Sequence, residues 1–263
     1  MDHYESAGLA DAFKSYFTVV PALTPALREE TWRVRHEVYC RDLGWESLQP
    51  NGLETDSDDQ YSVACLLRSV TTGASIGCVR LILADARSPE RLLPVEVACA
   101  GKLDTSVFDP AAVDRSRIAE VSRLAVMREY RRRKGEAGKP LALEQSDFGE
   151  EGRTRFPYIP VGLFMAVMAM AEQLKLDKLL TLTEPRLAAH LGKIGFHIVQ
   201  IGSGVEHRGL RVPAVIDKEG FVENMHPVMH AIWDHIQVLV ATAFAEAAPQ
   251  ELQRISSRQG LLL

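Results

Sequence analysis

The 263-residue chain predicts an α/β fold: one domain over 1–263, built on a mixed sheet with helices on its faces. Three observations predict it. Strand-like segments alternate with helix-like ones along the chain. The first half holds a tight hairpin, in which β-branched and apolar runs bracket Thr72-Gly73. One helix pattern, "VGLFMAVMAMAEQL", is apolar nearly all round, as a core helix beneath a sheet must be.

Taken in order, "SYFTVVPAL" is a first strand. "TPALREETWRVRHEVYCRDLG" is a helix with Thr24 as N-cap, Pro25 at its first position and Gly44 as its stop. "YSVACLLRSV", "TTGAS" and "IGCVRLILA" form the hairpin. Ala84–Arg117 lacks periodicity and holds several Pro and Asp, which predicts a long surface excursion. "IAEVSRLAVM" is a strand, followed by a polar, glycine-containing and mobile insertion around 128–158. After the apolar helix come the strand "DKLLTLTE", the helix "PRLAAHLGKIG" closed by Gly195, and the strand "FHIVQIG". "RGLRVPAVID" closes the sheet, and a terminal helix spans about 226–248. No internal repeat or linker divides the chain.

Composition narrows the function. Hydrophobic residues make up 46% and charged residues 25%, enough apolar material for a real core. The net charge of −5 excludes a surface basic enough to bind nucleic acid, so any basic function is local. Cys40, Cys65, Cys78 and Cys99 form no CxxC pair, so no metal site is expected, and Cys65 and Cys78, in strand-like runs, suit small core residues in a reducing compartment. His226, His230 and His235 lie near one helix face without a completing carboxylate, which makes them structural or surface residues. The first residues lack a signal-peptide pattern, and the apolar stretches near 162–171 and 236–248 are too short to span a bilayer. A cytoplasmic protein with no transmembrane segment is expected.

The chemistry concentrates in one constellation. Arg35 and Tyr39, four apart, share a helix face, and Trp45 falls just past the glycine stop. Asp56 and Asp59 follow, Arg80 sits in the second hairpin strand, and Glu120 and Arg123 sit in "EVSR". By strand alternation, Glu120 and Arg123 point to opposite faces. This set, from Arg35 through Asp59 without a gap, resembles the acyl-homoserine-lactone synthases, with Tyr39 where that family has Phe. The segments "EVSRLAVMREYRRR", "TEPRLAAHLGKIGFHIVQIG" and "GVEHRGLRVPAVI" resemble two relatives of those synthases. These are the FeeM-type long-chain N-acyl amino acid synthases and the acyltransferases associated with PEP-CTERM/exosortase systems. All are similar to the GNAT superfamily, and the resemblance implies its acyltransferase fold, whose central strands splay apart to admit a pantetheine thioester.

The implied reaction moves a fatty acyl group from a thioester to an amine. The resemblance implies acyl carrier protein as donor and partner, with acyl-coenzyme A as the alternative, and an amino acid as acceptor; no bound cofactor is implied. Glu120, between apolar neighbours, would be the base that takes the amine proton. An arginine fork would clamp the acceptor carboxylate, Arg80 first and Arg123 second. Asp56 and Asp59 would counter Arg35 and Arg80 or receive the acceptor's ammonium. A buried ion network made of the same residues is the competing explanation, and packing is the competing role for Trp45. Arg131, Arg132, Arg133, Lys134 and Gly135 would bind the pantetheine pyrophosphate or dock the acidic carrier protein, against the alternative of a solvated basic turn. Met165, Met168 and Met170 would suit an acyl tunnel or simply the core. The remaining readings are a lactone-forming synthase using S-adenosylmethionine and a non-catalytic thioester-binding accessory protein.

Overall fold

The computed structural model describes residues 10–131 and 158–259. After a short helix over 10–16 (α1), β1 (Phe17–Pro21) leads into α2 (Pro25–Arg35). The hairpin β2 (Ser62–Ser69) and β3 (Ser75–Leu83) is followed by α3 (Pro94–Ala98) and β4 (Ile118–Val126). A short turn, α4 (Arg128–Arg131), precedes α5 (Tyr158–Gln173), β5 (Lys178–Thr183) and α6 (Pro185–Lys193). The chain continues through β6 (Ile198–Gln200), β7 (Val205–Glu206), β8 (Leu210–Asp217) and α7 (Phe221–Asn224). It ends in α8 (His230–Ala245) and α9 (Pro249–Gln259).

The sheet order is β1-β2-β3-β4-β5-β8-β6, with β7 pairing β8. β1 to β4 form an antiparallel meander, β4 pairs β5 in parallel, and β8 pairs antiparallel with β5 and β6. The mixed sheet and the order of its main elements are those expected. α1 and α9 are additions that sequence pattern did not expose.

Thr24 caps α2 as expected, its hydroxyl accepting the Leu27 N–H at 3.2 Å. The helix does not run on to Gly44 as α-helix. From His36 to Asp42 it widens into a π-helical turn, and Gly44, at φ 64°, ends it. At Gly195 the expected stop is real. Its φ is 104°, and a Cβ there would lie 2.4 Å from the Asn224 carbonyl oxygen.

α5 lies in the main core beneath the sheet, with Met165, Met168 and Met170 fully buried. The excursion over 84–117 is not merely superficial. Leu93, Val95 and Cys99 pack with Ile82, Ile118 and Leu180 in a second core on the opposite side. All four cysteines are buried and free, and burial pushes the Cys65 and Cys78 thiols up to about 12. Counted with the 3-10 turn before it, α8 makes a 19-residue helical run, Pro227–Ala245, which by length and composition is long and apolar enough to cross a membrane. Its Ile232, Trp233, Ile236, Val240 and Phe244 belong to the main core.

Candidate active site

The parting of β4 from β5 makes the site. The two pair in register only from Ile118↔Lys178 to Val121↔Thr181. Beyond that point β4 follows β3, through Arg80↔Ser122 and Gly77↔Val126, while β5 follows β8 through Thr183↔Val212. A cleft of ≈ 350 Å³ opens between them, walled by Val121 to Leu124 on one side and Thr181 to Thr183 on the other.

Glu120 sits at the closed end of the split. It is 5% exposed, and its Oε2 accepts the Val95 N–H at 2.8 Å. Burial pushes its pKa up to about 8. The Val95 N–H and the charge of Arg80 work against that rise, while Asp58 and Glu96 add to it.

Around the cleft the ion network is dense. Arg80, 2% exposed, donates from Nη1 to Asp56 (2.6 Å) and Asp59 (2.8 Å) and from Nε to Ser122 Oγ (3.0 Å). Arg35, 1% exposed, pairs with Glu54 and Asp59. Arg123 pairs with Glu54 at 3.1 Å and Asp56 at 3.0 Å. The spacing of the two aspartates has a local cause: they form a capping box. The Asp56 N–H donates to Asp59 Oδ2 at 2.8 Å, and the Asp56 side chain accepts the Asp58 N–H at 3.0 Å. That arrangement leaves carboxylate oxygens for the arginines. Burial would raise Asp56, but the hydrogen bond and charge of Arg80, then Arg123 and Arg35, outweigh it and bring Asp56 to about 2.

One expectation about this network fails. Glu120 and Arg123 do not point apart, because β4 is bulged: β3 advances two residues from Cys78 to Arg80 while β4 advances three from Ser122 to Ala125. Arg123 sits at the bulge with φ 49° and turns onto the cleft beside Glu120. The first-choice carboxylate clamp also changes character. Both arginines are engaged by their own chain, Arg80 through Nη1 and Nε and Arg123 through Nη2 and Nε, but Arg123 is the more accessible, its side chain 25% exposed against 3% for Arg80. Asp56 and Asp59 act here as counter-ions.

The aromatic pair is in place. Tyr39 and Trp45 stack with centroids 6.1 Å apart, and the Trp45 and Glu46 N–H groups both donate to the Tyr39 carbonyl. Tyr39 in place of Phe gains a bond, its hydroxyl donating to the Leu124 carbonyl at 2.9 Å. Tyr39, Trp45, Asp56, Arg80, Glu120 and Arg123 line the cleft; Arg35 and Asp59 stand behind them. The core methionines do not reach it; α5 contributes Phe164. Arg132, Arg133, Lys134 and Gly135 lie outside the described residues, and Arg131 ends α4.

Sequence reasoning missed several residues. Glu54, 5% exposed, bridges Arg35 and Arg123, yet "ETDSDD" drew attention only to its aspartates. On the β7–β8 hairpin, His207, Arg208 and Arg211 line the cleft mouth, with Arg208 and Arg211 over Trp45 at 5.5 and 6.0 Å. Their signal was the cluster "EHRGLR" itself.

Residues 34–138 match the family model described as an acetyltransferase (GNAT) domain. The chain has the GNAT acyltransferase fold. Several solved structures share it. LasI, an AHL synthase, superposes with TM-score 0.56 at 16% identity, covering 84% of this chain and 96% of its own. MesI, a CoA-dependent acyl-homoserine lactone synthase, gives 0.54 at 17% identity, covering 82% and 94%. FeeM, an N-acyl amino acid synthase from uncultured soil microbes, gives 0.51 at 14% identity, covering 81% and 97%. At these identities the likeness is one of fold. No curated protein matches the sequence. In the GNAT fold the parted strands of this chain and its buried Glu120 occupy one continuous cleft.

Proposed function

We propose that the chain is an N-acyltransferase that moves a fatty acyl group from a phosphopantetheine thioester to the amine of an amino acid. The observation that carries this reading is Glu120 at the closed end of the split between β4 and β5. An extended thioester arm fits such a split, because the backbone groups of β4 beyond Val121 lack a β5 partner and can bond it.

The amine must be neutral to attack. Glu120, reached directly or through one water, takes its proton as the new C–N bond forms. The C–S bond then breaks, and Glu120 returns that proton, directly or through the same water, to the leaving sulfur, which departs as the free thiol. A backbone N–H at the parted strand holds the oxyanion. Arg123 is the best-placed clamp for the acceptor carboxylate, with Arg211 at the mouth. The GNAT neighbours include both an N-acyl amino acid synthase and lactone-forming enzymes, one of them described as CoA-dependent. Acyl carrier protein is the donor proposed here, docked by the basic run Arg131–Lys134.

Product mass spectrometry after incubation with acyl carrier protein or coenzyme A thioesters, amino acids and S-adenosylmethionine tests the reading. An N-acyl amino acid is the expected product. A homoserine lactone would replace this reading by a lactone-forming synthase using S-adenosylmethionine, and no product at all would favour a thioester-binding accessory protein. Glu120→Gln should lower turnover about 10²–10⁴-fold with the fold intact. Near-normal turnover at neutral pH would remove Glu120 as base.

A further inference from the structure

Glu120 is not held by its own strand alone. Its anchor is the Val95 N–H in the first turn of α3, and that turn is itself braced. Glu96, 7% exposed, accepts the Leu93 N–H at 2.7 Å. Arg115 grips both oxygens of Glu96, Nη1 to Oε1 and Nη2 to Oε2, each at 3.0 Å, and also donates to the Arg91 carbonyl at 3.1 Å. Arg115 thus ties the start of α3 to the chain just before β4, the strand that carries Glu120.

We propose that Glu96 and Arg115 are positioning residues: through α3 they hold the Val95 N–H on Glu120 and set the pH at which Glu120 becomes a base. This rests on the acyltransferase reading above. Two buried carboxylates share one helix start, and they are treated differently. Glu96 is paired with a bidentate guanidinium; among the described residues Glu120 receives one N–H and no direct cation. The charge of Glu96 works with burial against the ionisation of Glu120. The remaining charges that act on Glu120 are Arg80 from β3, which favours its ionised form, and Asp58 from the turn before β2, which opposes it. Asp58 is held in turn by Arg91. Cys99, at the end of α3, feels the charge of Glu120.

The test is the pH profile of kcat/KM together with the Glu120-dependent part of stability. The latter is the difference in unfolding free energy between chains with Glu and Gln at 120, followed from pH 5 to pH 9. Glu96→Gln keeps an acceptor for the Leu93 N–H but removes the charge, so the Glu120 limb should move to lower pH by about half a unit or more. Arg115→Met removes the guanidinium that braces the start of α3 and so loosens the Val95 N–H from Glu120, which should move the limb to higher pH. Arg115→Lys should restore part of that shift. Opposite movements are something a purely structural brace would not produce. If both variants lower activity or stability with the limb unmoved, or both move it in the same direction, the positioning role is wrong. A limb in stability but none in turnover would overturn the assignment of Glu120 as base, and with it the catalytic consequence claimed for Glu96 and Arg115. The absence of a Glu120-dependent limb in both readouts would overturn the inference outright.

Discussion

At the scale of single residues, the two arginines named as clamps separate into different roles. Arg80 is 2% exposed and bonded to Asp56, Asp59 and Ser122. Replacing its fork with an ammonium breaks a largely buried network of hydrogen-bonded charges. Arg80→Lys should therefore destabilise the chain by about 2–4 kcal/mol, read as a shift in the urea midpoint. Arg123 faces the cleft, so Arg123→Lys should keep most of the stability and raise the KM for the amino acid about tenfold or more. The donor KM should stay near its starting value. A stable Arg80→Lys with a raised acceptor KM would reverse the two roles. Sequence alone could not have drawn this distinction. It showed that Arg80, Arg123, Asp56 and Asp59 belong together, because the types and spacings are chemical. Which guanidinium stays accessible depends on the bulge that places Arg123 at φ 49°, and no glycine marks that position.

At the scale of elements, the segment from Pro25 to Trp45 shows what periodicity can and cannot convey. The cap at Thr24, the proline at the first helical position and the stop at Gly44 were legible because each has a residue-type signature. The change to π-helix over His36–Asp42 has none, since widening a turn by one residue leaves composition unchanged. It matters for the site. The Leu43 N–H reaches back to the Val38 carbonyl, and the Trp45 N–H reaches the Tyr39 carbonyl at 2.8 Å, which stacks the two rings. Deleting the exposed Arg41 should return the turn to α-helix and rotate Trp45 away from Tyr39. The expected outcome is a folded chain with altered tryptophan emission and kcat/KM lower by about 10²-fold. Unchanged kinetics would mean that the stack packs the wall without shaping the cleft. The α3 segment escaped notice for a related reason: five residues are too few to display a period, and its buried Leu93, Val95 and Glu96 become meaningful only against β4.

At the scale of the whole molecule, two carboxylates pull the pH dependence of stability in opposite directions. Asp56 is held at about 2, below its ordinary 3.8, by the arginines around it. Its contribution is complete above 3.8 and is lost as pH falls toward 2, because the unfolded chain takes up the proton first. Glu54, lowered by Arg35 and Arg123 against the effect of burial, acts with the same sign. Glu120 does the reverse. Unfolded, it ionises near 4.5; folded, near 8, because burial disfavours its charge. From 4.5 upward the unfolded chain releases a proton that the native chain keeps, so stability falls across that window and levels off above about 8. The two slopes meet in a maximum on the acid side of neutrality, whereas rising ionisation of Glu120 should raise turnover as stability declines. The urea midpoint followed from pH 3 to pH 9 should therefore climb, peak near pH 4–5 and decline by pH 8. In Glu120→Gln the alkaline decline should flatten while the acid limb stays, since the Asp56 network is untouched. A variant whose midpoint tracks the parent's from pH 5 to pH 8 would show that Glu120 ionises normally in the native chain, and the base at the closed end of the cleft would then operate without the elevated pKa that its burial imposes.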